Sequence, residues 1–225
     1  MYCTMIKVEM INVSGLEAAI RGMRNPLESH AKSDSYWTHI ENPENMNEAP
    51  FQYFVGENDL DLMRRLFWGG EEHRKYMRQI FVSMDITAPL YWWKEFDTYK
   101  IGTTANSTST MHTIHKRDLT VADFSAEDLR PNALMCLEYL IEMINHYRAR
   151  FMETGSKEYW RQMIQLLPTS YNQLRTVTMN YENVVNMILQ RNNHKLSEWT
   201  EFVEILRGLP YIEDITAQKV DATEN

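Results

Sequence analysis

Residues 79–96 read QIFVSMDITAPLYWWKEF, and this stretch decides the fold. From Gln79 to Ile86 the apolar Ile80, Val82, Met84 and Ile86 alternate with Phe81, Ser83 and Asp85. A period of two predicts a strand with one buried face. Pro89 suits the first turn of a helix, because its fixed φ is helical and its missing N–H has no partner there. The aromatic run Tyr91, Trp92, Trp93 and Phe96 then continues as a short helix whose rings either stack on a ligand ring or, as is commoner at this spacing, belong to the core.

Upstream, residues 5–13 alternate as a strand, and Gly15 precedes Leu16, Ala19, Ile20 and Met23 at helical spacing. Residues 24–56, with Pro26, Pro43 and Pro50, read as one long irregular connection, the kind that is either functional or ordered against a partner. A short helix spans 58–67 and stops at Gly69 and Gly70. Downstream, Ser125 with Asp128 has the spacing of a capping box opening a helix to about Phe151. Helices are expected over 156–167, from Tyr171 to Arg191, and from Leu196 to Arg207, with a frayed tail after about 215. This order predicts an α+β fold with a mixed or antiparallel sheet, a helix-rich C-terminal half and a single domain over 1–225.

Composition narrows the function. The chain has 225 residues, 44% of them apolar, and a net charge of −8 from 31 acidic against 23 basic residues. Such a field repels a phosphate backbone at long range, so no nucleic-acid polymer is expected as a partner. No apolar run approaches the length of about 20 residues that crosses a bilayer. Without a secretory leader pattern, and with only Cys3 and Cys136, a reducing, cytoplasmic compartment is expected. Rossmann and phosphate-loop glycine spacings are absent.

Two segments offer chemistry. Wound at about 100° per residue, a helix over 171–191 gathers Leu174, Val177, Tyr181, Val184, Val185, Ile188 and Leu189 on one side. Thr176, Asn180, Asn183, Asn186, Gln190 and Arg191 take the opposite arc. Neutral amides closed by one arginine suit hydrogen bonding to a ligand or another subunit, although an Asn-rich solvated face has the same composition. The segment Gly102 to Thr110 is poor in apolar residues and rich in hydroxyls, so it reads either as a wrapping loop for a phosphate or ring, or as an ordinary surface loop. His73 is either ligand-facing or a lone surface histidine. His112 and His115 lack carboxylates at metal-ligand spacing, so no metal is expected. Cys136, among Leu134, Met135 and Leu137, reads as a core thiol rather than a nucleophile.

Taken together, several segments resemble the flavin-dependent thymidylate synthases. Thr87-Ala88-Pro89-Leu90 leads into Trp93-Lys94-Glu95-Phe96, as that family's Ala-Pro step leads into a W-R-Q-W helix start. Residues 98–108, TYKIGTTANST, fall on the signature R-H-R-x-x-S-x-N-E-x-S. His73 to Gln79 falls on the upstream H-x-S-P-F-E-H element. Leu167-Pro168, Asn180 and Arg191 match the C-terminal leucine-proline, asparagine and arginine in spacing. The register covers residues 73 to about 205. It departs from the pattern at Thr98 and Tyr99, which replace arginine and histidine, at Ala105-Asn106 for Asn-Glu, at Glu95 for glutamine and at Ile164 for arginine.

The resemblance implies a homotetramer that binds FAD and methylates dUMP to dTMP, with methylene-tetrahydrofolate and NADPH as co-substrates and no cysteine nucleophile. By the same resemblance Arg191 faces the pyrimidine and serves catalysis, and Glu95, Thr103, Thr108 and Arg191 hold the nucleotide. His73, Thr98, Tyr99, Lys100, Asn106, Asn180, Asn186 and His194 hold the flavin. Two other readings stay open: a flavin- or nucleotide-binding homologue acting on another pyrimidine or without turnover, and a non-catalytic interaction protein that keeps the fold.

Overall fold

The computed structural model describes residues 6–39 and 51–217. Strand β1 (Lys7–Ser14) leads into α1 (Leu16–Arg24), and a two-stranded ribbon follows, β2 (Tyr36–His39) and β3 (Phe51–Phe54). Next come α2 (Glu57–Trp68), a 3-10 helix (Glu71–Gln79), β4 (Phe81–Pro89), α3 (Leu90–Phe96), β5 (Thr103–Ser107) and α4 (Thr110–Thr113). The second half contains α5 (Pro131–Thr154), α6 (Lys157–Leu166), β6 (Asn172–Asn180), α7 (Tyr181–Arg191), α8 (Ser197–Arg207) and α9 (Ile212–Thr216). The main sheet runs β1-β4-β6-β5, and the fold is α+β with a helix-rich second half, as the patterning predicts.

The described chain divides into two compact units, one of residues 6–11, 83–178 and 193–202, the other of 12–39, 51–82, 179–192 and 203–217. In the first unit β4 and β6 exchange side-chain bonds, Ser83 Oγ with Thr178 Oγ1 at 2.8 Å and Thr176 Oγ1 donating to Asp85 Oδ1 at 2.6 Å. The first N–H groups of α3 need acceptors outside their own helix. Leu90 finds the carbonyl of Tyr171, and Tyr91 that of Thr169, each at 3.0 Å. Trp92 then packs on Phe96, Trp199 and Phe202, with ring centroids 5.1, 4.9 and 5.2 Å away. A second cluster, centred on Leu137, Ile141, Ile144 and Met163, joins α5 to α6.

In the second unit the 3-10 helix packs against α1, α2 and α7. Tyr76 Oη donates to the Met63 carbonyl at 2.9 Å, and the Arg74 guanidinium lies 4.2 Å over the Phe67 ring. At Gly15 φ is +88°, and a Cβ there would collide with the Gln79 carbonyl oxygen, so the step from β1 into α1 requires glycine. Asp59, buried in α2, accepts from Arg24 Nε, from Ser33 and Ser35 Oγ at 2.6 Å each, and from two backbone N–H groups at 3.2 Å. Asp34 reciprocates by accepting from Asn58 N and Asp59 N at the start of α2.

Five local expectations are corrected. The helix expected over 171–191 is strand β6 followed by α7. Buried Val177 and Met179 satisfy a period of two as well as helical spacing. The Asn180 side chain accepts from Asn183 N at 3.0 Å and opens α7 there. Residues 103–107 form strand β5 rather than loop, at the sheet's edge, where small exposed hydroxyl and amide side chains are tolerated. The connection over 24–56 holds the β2–β3 ribbon, its residues 40–50 lying outside the described ones. The helix expected from Ser125 begins at Pro131, and the capping box is formed by Thr120 and Asp123 around a 3-10 turn. Cys136 is exposed, because the buried stripe of α5 passes through Leu137, Ile141 and Ile144 instead. Of the frayed tail expected after about 215, α9 takes in Thr216, and the residues after 217 lie outside the described ones.

Candidate functional site

In the first unit, Glu95 lies in the last turn of α3, and the chain leaving that helix is held by Thr98, whose hydroxyl and N–H both return to the Glu95 carbonyl at 2.7 and 3.1 Å. Tyr99 N donates to the Phe96 carbonyl at 3.0 Å and its ring approaches Trp199 at 6.1 Å. From the start of α8 the buried Trp199 also meets the His194 ring at 6.1 Å. His194 Nε2 reaches Glu95 Oε2 at 3.0 Å, and its Nδ1 accepts from Leu196 N at 3.2 Å. A histidine that accepts at Nδ1 carries its proton on Nε2, which turns the donor toward the carboxylate.

Beside this pair, Arg175 of β6 bridges Asp97 at 2.7 Å and lies 4.2 Å over the Trp93 ring. Sequence spacing gave no signal for Arg175, since nothing links positions 97 and 175 before the sheet forms. Lys100, Asn106 and Thr108 are exposed, and Thr103 is half-buried. Thr108 is tied to β6 through its N–H to the Leu174 carbonyl at 2.9 Å and its carbonyl to Gln173 Nε2 at 2.8 Å.

One turn before Glu95 in α3, Tyr91 Oη donates to the buried Glu198 and lies 3.0 Å from Ser125 Oγ. Burial pushes the Tyr91 phenol well above its ordinary range, and the bond to Glu198 adds to the rise. Tyr91 is therefore a neutral donor at any physiological pH.

The remaining sequence-derived residues belong to the second unit. His73 is half exposed and lies 3.6 Å from the Glu72 carboxylate. Asn180 is nearly buried, with its oxygen used in the cap of α7. Asn186 and Arg191 are half-buried on α7, Arg191 at its last residue. Among the described residues no group of His, Cys, Asp and Glu could hold a metal ion, and no helix is long and apolar enough to cross a membrane.

The fold is that of the flavin-dependent thymidylate synthases. The chain is similar to thymidylate synthase X from Helicobacter pylori, solved with FAD and dUMP, at 15% identity and a TM-score of 0.62, over 93% of this chain and 95% of that one. It is also similar to the UMP/dUMP methylase PolB from Streptomyces cacaoi, bound with 5-Br UMP, at 12% identity and a TM-score of 0.57, over 90% and 87% of the two chains. No protein-family model and no curated protein matches the sequence.

Proposed function

We propose that this protein is a flavin-dependent nucleotide methylase that converts dUMP to dTMP with methylene-tetrahydrofolate and NADPH, as a cytoplasmic homotetramer. The observation that carries this reading is the near end-to-end likeness to a synthase solved with FAD and dUMP. The donor set around β5 suits a flavin pyrophosphate. Lys100 supplies a cation, and Thr103, Thr104 and Asn106 supply uncharged donors on an edge strand with little apolar surface. Thr98, Tyr99 and His194 of the same unit join this proposed flavin set, while His73, Asn180 and Asn186 are assigned to the flavin by the sequence resemblance alone. The bound flavin would supply the redox chemistry, while the chain's own residues orient the pyrimidine and exclude water. By the sequence resemblance Arg191 is assigned to the pyrimidine, and Glu95, Thr103 and Thr108 are assigned to the nucleotide.

A second reading, action on UMP or another pyrimidine nucleotide, is favoured by the likeness to PolB and by Glu95. A carboxylate accepts hydrogen bonds and donates none, so it selects a ligand edge that differs from the one an amide would meet. The experiment is purification with FAD, followed by tritium release from C5 of dUMP and of UMP in the presence of both co-substrates. A visible flavin band with release from dUMP supports the first reading, and release from UMP alone supports the second. A colourless protein that binds neither nucleotide sinks both and leaves a non-catalytic protein that keeps the fold.

A further inference from the structure

Within the first unit, Glu95 stands where the pattern of the flavin-dependent thymidylate synthases has glutamine, and His194 decides what that exchange means. Leu196 N donates to His194 Nδ1 at 3.2 Å, so the ring proton sits on Nε2 and points at Glu95 Oε2, 3.0 Å away. Through this contact the imidazole orients the carboxylate without cancelling its charge. The Glu95 side chain is 36% exposed, so a ligand can reach it. A glutamine in the same pose gives its carbonyl oxygen to the His194 N–H and presents its amino group as a donor on the other side. Glutamate presents a second oxygen there, and a carboxylate oxygen only accepts.

The two common pyrimidines differ in what they offer such a group. Uracil carries a keto oxygen at C4, an acceptor, whereas cytosine carries an amino group there, a donor. The amino group of an amide bonds the keto oxygen. A carboxylate in its place sets two acceptors against each other. Moved across to the N3–H of uracil, the carboxylate still lies between the oxygens on C2 and C4, and both repel it. On cytosine the same carboxylate oxygen meets an N–H at the corner of the ring, a charge-assisted bond with one neighbouring acceptor rather than two.

We propose that the nucleotide site takes a 4-aminopyrimidine, a cytosine nucleoside monophosphate, in preference to its uracil counterpart, with Glu95 accepting from the amino group and His194 positioning the carboxylate. This rests on the pyrimidine-nucleotide reading above and commits its second version to one base.

Calorimetric titration of the full chain, with FAD present, against dCMP, CMP, dUMP and UMP tests it. For whichever sugar binds better, the cytosine nucleotide binds at least about tenfold more tightly than the uracil one, the factor that a correctly paired base edge contributes. Glu95→Gln inverts the order, weakening the cytosine nucleotide and strengthening the uracil one, each by about tenfold. A gain of affinity cannot come from misfolding, so the inversion separates recognition from structural damage. His194→Ala, which releases the carboxylate, narrows the preference without inverting it. Uracil nucleotides that bind the parent as tightly as cytosine nucleotides or more so, or a preference that either variant leaves unchanged, overturn the proposal while the methylase reading stands. Binding of none of the four nucleotides overturns both.

Discussion

Glu95 and His194 are joined at 3.0 Å across the 99 positions between the end of α3 and the approach to α8, and Leu196 N fixes the ring from its other side. The carboxylate is thereby held in one place with a donor aimed at it. If a nucleotide phosphate or an anionic ring edge comes close, the fixed charge opposes it, by an energy that scales inversely with distance and effective dielectric. Glu95→Gln keeps an acceptor for His194 and removes the charge. We expect dUMP affinity measured by calorimetry to rise by about tenfold in this variant, equivalent to about 1.4 kcal/mol. Unchanged or weaker binding would place Glu95 away from the nucleotide.

Arg191 closes the polar side of α7. Arg191→Ala is expected to weaken dUMP binding by roughly tenfold or more, the loss of one charge-assisted contact of about 1.5–3 kcal/mol. The melting temperature should stay nearly constant. A large fall in melting temperature with binding intact would make Arg191 a structural residue.

The Arg24–Asp59 pair is buried on both sides, with 4% and 0% side-chain exposure. Removing one partner leaves the other charged and desolvated, so Asp59→Ala should cost about 3–5 kcal/mol in urea unfolding. It should also loosen residues 30–39, read as faster amide exchange at Ser33 to Ser35. A loss below about 1 kcal/mol would mean that water or another residue replaces the carboxylate.

Acid should expose the same group. Burial works to raise the Asp59 pKa, but the bonds from Ser33, Ser35 and Arg24 outweigh it, and the net direction is down. Asp123 is also lowered, first by its bond from Arg117. A carboxyl held below its unfolded value near 3.9 contributes stability above that pH and loses it as pH falls toward the folded value. Melting temperature should therefore fall below about pH 4, and Asp59→Asn should flatten that slope. A slope unchanged in Asp59→Asn would assign the acid sensitivity to other carboxylates.

Tyr91→Phe removes the hydroxyl that donates to buried Glu198. Leaving a buried acceptor short of a donor costs about 1–3 kcal/mol. Chemical denaturation would register this, and the Trp199 emission should shift as α8 loosens. Wild-type stability in the Phe variant would show that Ser125 takes over the bond.

Much of the fold was legible where a single period governs. β4 alternates without interruption, and its ends and those of the following helix are legible to within about three residues. β6 is not legible in the sequence because Leu174, Val177 and Tyr181 fit helical spacing as well as Val177 and Met179 fit a strand. Only pairing in the sheet breaks that tie. For the candidate site, motif spacing names candidate residues but not how they are arranged. The sequence marks both Glu95 and His194 but carries no sign that they touch. Arg175, which completes the cluster beside Asp97, had no sequence signal at all.

The sequence by itself determined the α+β class, the core-facing side of β4, the aromatic heart of α3 and the spacing that resembles a family. These are local properties, set by side-chain chemistry repeated at fixed intervals along the chain. Tertiary structure alone decided that β5 is an edge strand, that Cys136 faces outward, that Asp59 gathers five donors and that Glu95 meets His194. Each of these depends on which distant segments come together. That outcome is fixed by burial and hydrogen-bond satisfaction over the whole chain, and no short window of residues contains it.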